Sequence, residues 1–74
     1  MYKYVGRDGT GGLIKDHEYR IIFEDDPGGN GVTAIIDYDY TVDEEIYKIL
    51  PLASHNSIAY FFKKTERDDN EWIL

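Results

Sequence analysis

The segment that decides the fold is Glu18-Tyr19-Arg20-Ile21-Ile22-Phe23-Glu24, followed by Asp25-Asp26-Pro27-Gly28-Gly29-Asn30-Gly31 and then Val32-Thr33-Ala34-Ile35-Ile36-Asp37-Tyr38-Asp39-Tyr40. In the first piece Tyr19, Ile21 and Phe23 alternate with Glu18, Arg20, Ile22 and Glu24. That period of two is the signature of a half-buried strand. In the second piece Asp-Pro opens a turn and Gly-Gly-Asn-Gly supplies left-handed positions, so the chain is expected to reverse there as a hairpin. In the return strand the alternation places Ala34, Ile36, Tyr38 and Tyr40 on one face and Thr33, Ile35, Asp37 and Asp39 on the other. The first face is expected to be core near its start, and the second grades from apolar to acidic.

Working outward, residues 1–5 form a short strand candidate with Tyr2 and Tyr4 on one face. The stretch Gly6-Arg7-Asp8-Gly9-Thr10-Gly11-Gly12 is expected to be a loop, because its glycines provide the positive φ angles of tight turns. Residues 41–45 form a charged connection. Thr41 and Glu44 have capping-box spacing, but Pro51 disfavours helical geometry at Leu50, so a turn and a short strand over 46–50 are expected. Residues 54–65 are expected to hold a short helix, with Ser54 or Asn56 as N-cap, Ile58, Phe61 and Phe62 on one face, and Lys63 and Lys64 in the last turn. A strand alternating Ile58, Tyr60 and Phe62 is the competing pattern. Residues 67–70 are expected to form a polar turn, and Trp72, Ile73 and Leu74 to pack onto the body. The expectation is one mainly β domain over residues 1–74, a small SH3-like barrel or strongly twisted antiparallel sheet with one short C-terminal helix.

Composition narrows the function. A chain of 74 residues without cysteine has no disulfide or thiolate metal site to stabilise it. Its core must come from apolar packing, to which seven Tyr, three Phe and one Trp contribute. Fifteen Asp and Glu against eight Lys and Arg give a net charge of −7. Direct nucleic-acid binding and anionic membranes both call for the opposite sign. Basic protein surfaces are the natural partners of this field, although a charge of this size also serves solubility alone. No apolar run is long enough to span a membrane, and residues 1–4 show no signal-peptide core, so a cytoplasmic location is expected.

The motifs Lys3-Tyr4-Val5-Gly6, Asp8-Gly9, Gly12-Leu13 and His17-Glu18-Tyr19-Arg20-Ile21, with the later Ile49-Leu50-Pro51-Leu52-Ala53-Ser54, resemble those of a group of small bacteriophage proteins of SH3-like barrel type. The likeness covers roughly half the chain and is carried by structural positions. This chain departs from the group at Lys15-Asp16-His17, where a Lys-Gly turn is common, and at Leu52, which replaces an aromatic residue. The resemblance implies a barrel. With a phage origin it also implies an inhibitor directed at the host, such as an anti-CRISPR or other anti-defence protein.

Catalytic signatures are weak. The loop over 6–12 lacks the Gly-Lys-Ser/Thr of a P-loop and the setting of a dinucleotide fingerprint. A calcium loop starting at Asp37 would have Val42 where glycine is required and Lys48 where glutamate is required. His17 and His55 do not form a zinc-hydrolase motif, and His17 is expected to be a solvated turn residue. Ser54 and Ser57 lie on no nucleophile elbow. A non-catalytic chain with no cofactor and no metal is expected.

The acidic cluster carries the functional expectation. If the strand is regular, Asp37 and Asp39 share a face about 7 Å apart, close to the repeat of phosphates along a nucleic-acid strand. Asp43, Glu44 and Glu45 extend the row, Asp25 and Asp26 lie at the far hairpin end, and Tyr38, Tyr40 and Tyr47 interleave. Such a face would mimic nucleic acid and occupy a basic groove on a host protein. The plain alternative is a solvated edge whose carboxylates deter strand pairing. Other readings are a structural accessory protein, monomeric or homodimeric, and a small-ligand or divalent-metal-binding domain.

Overall fold

A computed structural model describes residues 1–29 and 31–65. The polar turn expected over 67–70 and the packing expected of Trp72, Ile73 and Leu74 lie outside the described residues. The strands are β1 (Tyr2–Tyr4), β2 (Glu18–Asp25), β3 (Val32–Asp39), β4 (Glu44–Leu52) and β5 (Phe62–Lys64), with a short helix α1 (Ile58–Phe61) before β5. All pairings are antiparallel, in the order β4-β3-β2-β1-β5, so β4 and β5 are the two edges of a single sheet. The expectation of a mainly β domain with one short C-terminal helix holds.

Inner-face residues of adjacent strands meet as cross-strand rows. Phe23, Ala34 and Leu50 form one row, and Ile21, Ile36 and Lys48 the next. Tyr4, Leu13, Tyr19, Val32, Ala34, Ile36, Leu52 and Phe62 make the buried core, with Ile46, Ile58 and Phe61 packed against it. Tyr4 is wholly buried, and its hydroxyl donates to the Arg7 carbonyl at 2.6 Å. Gly6 makes this possible, since a Cβ there would lie 2.7 Å from that hydroxyl. The Tyr-Val-Gly start of the chain therefore closes the glycine loop over an aromatic ring. Tyr19 is buried in the same way, its hydroxyl accepting the Ile14 N–H at 2.8 Å.

The β2–β3 hairpin forms as expected. β4 starts two residues earlier and ends two later than expected. It carries Pro51 opposite Thr33, which an edge strand tolerates because the missing donor then faces solvent. In the C-terminal region the expected helix forms over fewer residues, and a strand follows it that shares only Phe62 with the competing pattern. A 3-10 turn (His55–Ser57) runs into α1, which stops after four residues, and Phe62 opens β5. Lys63 and Lys64 are therefore edge-strand residues opposite Lys3 and Tyr2, not the last turn of a helix. Pairing with β1 and burial of Phe62 override the helical periodicity.

Candidate functional site

The expected acidic face depends on regular alternation along β3, and β3 is not regular. Between the rows Ile21–Ile36–Lys48 and Arg20–Tyr38–Glu45 the chain advances one residue in β2, two in β3 and three in β4. The odd steps in β2 and β4 preserve their alternation. The even step in β3 breaks it, leaving Asp37 as a bulge residue, and side chains beyond a bulge change face. The buried positions of β3 are accordingly Val32, Ala34, Ile36 and then Asp39.

This corrects the placement of the acidic pair. Asp39 lies on the inner face opposite Tyr19 and is 4% exposed, whereas Asp37 bonds to Arg20 on the outer face. The two carboxylates do not form a phosphate-like row. Tyr38, expected to share a face with Ala34 and Ile36, sits instead on the opposite face, paired with the exposed Arg20.

Asp39 organises the turn into β4. Its Oδ1 accepts the N–H groups of Thr41 at 2.9 Å and Val42 at 3.4 Å, and its Oδ2 lies 2.8 Å from His17 Nδ1. Thr41 Oγ1 in turn accepts the Glu18 N–H at 2.8 Å, joining the same turn to β2. His17 is thus held in a half-buried pair and is not the solvated residue its sequence surroundings predict. No local signal could have shown this, because its partner is distant in the chain and only the β2–β3 register brings the two together. A histidine oriented by a buried carboxylate is one part of a general-base arrangement. Among the described residues, no serine or threonine hydroxyl is hydrogen-bonded to its other ring nitrogen.

On the outer face the Arg20 Nε donates to Asp37 Oδ1 at 2.7 Å, and this bond holds the guanidinium pKa above its ordinary value. The Arg20 guanidinium also lies 5.6 Å from the centre of the Tyr38 ring, which packs 4.9 Å from that of Tyr40. The Tyr38 hydroxyl donates to Asp43, and that bond raises the phenol's pKa. Glu44 and Glu45 are exposed where β4 begins. Asp25 and Asp26 lie at the other end of the hairpin. Asp25 is 2.5 Å from His55 Nε2, and Asp26 accepts from the Thr33 hydroxyl at 2.9 Å. The structure therefore brings Tyr38, Tyr40 and Asp43 together with Glu45 nearby, buries Asp39, and leaves Asp25 and Asp26 as a separate group.

The outer face also carries apolar residues. Ile22, Ile35 and Ile49 form a row across β2, β3 and β4, and Tyr47 lies beside Ile49 on the same face of β4. Tyr47 is 69% exposed, Ile22 53% and Ile49 50%. The alternation of the sequence placed Ile22 and Ile35 outward, but only strand pairing joins them to Ile49 and Tyr47. Among the described residues, no three His, Asp or Glu side chains converge as a metal site, and no helix is long and apolar enough to cross a membrane. No family model, curated protein or solved structure matches this chain.

Proposed function

We propose that this chain is a non-catalytic protein-binding module whose outer β2–β4 face docks on a basic surface of a partner protein. The observation that supports this reading is the apolar layer of Ile22, Ile35, Ile49 and Tyr47 bordered at one end by Tyr38, Asp43 and Glu45. An apolar centre beside tyrosines and a charged rim is the composition of a recognition surface, and the net charge of −7 sets the sign of the partner. Asp39 belongs to the scaffold in this reading. The finer proposal, drawn from the phage-protein resemblance, is inhibition of a host nucleic-acid-binding or defence protein by occupying its basic groove.

The test is affinity capture from bacterial lysate with mass spectrometry, at low and high salt. Three baits are compared: the natural chain, the double change Glu44→Lys with Glu45→Lys, and Tyr47→Ser with Ile49→Ser. The expected result is a basic protein held at low salt by the natural chain and lost by both variants. Retention by both variants, or capture of no salt-sensitive basic protein, overturns the proposal.

A further inference from the structure

The two edges of the sheet differ. β5 is three residues long and carries Lys63 and Lys64, a short charged edge of the kind that resists pairing. β4 is nine residues long. Among the described residues, no backbone hydrogen bond outside the sheet ladder involves it. Its outward groups can be assigned from Pro51. Lacking an N–H, Pro51 makes the Thr33–Pro51 pair one of the non-hydrogen-bonded pairs of the ladder, and alternation makes Ile35–Ile49 another. The N–H and C=O of Ile49 therefore face away from β3, toward an edge with which no strand among the described residues pairs.

We infer that the β4 edge receives an extended segment of the partner, which adds an antiparallel strand to the sheet. The inference rests on the protein-binding reading above and gives it a mode. Backbone pairing supplies affinity in strand addition, and alternate side chains supply specificity. On this edge the acidic side chains Asp43, Glu44 and Glu45 stand at the start, and Tyr47 and Ile49 follow on the outer face. The complementary strand has aliphatic side chains opposite Ile49 and Tyr47 and two lysines or arginines opposite Glu45 and Glu44, at its own C-terminal end. Pro51 ends the usable edge. A second copy of the chain is a poorer occupant. Full-length antiparallel self-pairing centres on Lys48 opposite Lys48, and like charges directly opposed are unfavourable.

The test uses the peptide acetyl-Ser-Val-Thr-Val-Thr-Lys-Lys-amide and the same peptide N-methylated at each Val and Thr, which keeps the charge and removes the donors. Amide hydrogen exchange of the full chain is followed residue by residue by NMR. At saturating unmodified peptide the Ile49 amide is expected to exchange about tenfold more slowly or better, with no change along β5. The N-methylated peptide leaves it unchanged, and Glu44→Lys with Glu45→Lys weakens peptide binding about tenfold or more at low salt, because two ion pairs are lost and like charges take their place. Equal effects of both peptides, protection confined to β5, or no protection at millimolar peptide overturns strand addition. The broader reading fails separately, by the lysate experiment: salt-sensitive capture without β4 protection overturns strand addition alone.

Discussion

The two halves of β3 obey different rules. From Val32 to Ile36 the strand alternates regularly, and burial follows the even positions. Beyond the bulge at Asp37 a carboxylate occupies the inner face and an aromatic ring the outer one. The first half is held by apolar burial. The second is held by a buried polar network that joins Asp39 to His17, Thr41 and Val42. A local feature of one residue thus changes the kind of force that holds the strand, and decides which tyrosine and which aspartate a partner would meet.

Substitutions in each half sharpen this contrast. Ile36→Ala, in the regular half, is expected to cost about 2–5 kcal/mol by leaving a cavity, while Ile35→Ala on the outer face costs about 1 kcal/mol or less. Equal losses in urea unfolding would contradict the inward and outward assignments. Asp39→Ala, beyond the bulge, is expected to cost about 2–4 kcal/mol, because it leaves two backbone donors and His17 without their acceptor. For a domain of this size each kcal/mol lowers Tm by about 4–8 °C. A Tm within a few degrees of the natural chain would mean the network contributes little.

A smaller effect is expected at alkaline pH. Burial raises the Tyr19 pKa, against the opposing bond from the Ile14 N–H, with the Asp39 charge adding to the rise. The folded state then keeps the phenolic proton after the unfolded chain releases it near pH 10. Stability from this group is complete below that pH and is lost as pH climbs through the folded-state pKa. Tyr19→Phe should flatten the alkaline limb of the stability–pH curve, and an unchanged limb would contradict burial as the cause. The smallest effect belongs to Asp37→Ala. Its ion pair with Arg20 is half-exposed, so about 0–1 kcal/mol is expected. A larger loss in the same urea titration would show that Asp37 fixes the bulge itself.

Much of the fold was legible because its cues are local. Tyr19, Ile21 and Phe23 mark their own inner face, and Pro27 with the following glycines marks the hairpin. The segment over 54–65 was harder, because four residues of helix and three of strand each satisfy part of the same apolar pattern. The candidate site was legible as composition, in the tyrosines and acids of 37–47, but not as a surface. Regular alternation was the wrong extrapolation for Asp39 and Tyr38.

By itself the sequence determined a cysteine-free acidic chain, the β2–β3 hairpin, and an outward Ile22 and Ile35, since charge is additive and side-chain alternation needs only neighbouring residues. Tertiary structure alone decided that Asp39 is buried against His17, that Ile49 and Tyr47 complete the outer apolar layer, and that β4 is a long edge. Those outcomes depend on how far each of three strands advances across one bend, and that register is a property of the paired sheet and not of any single strand.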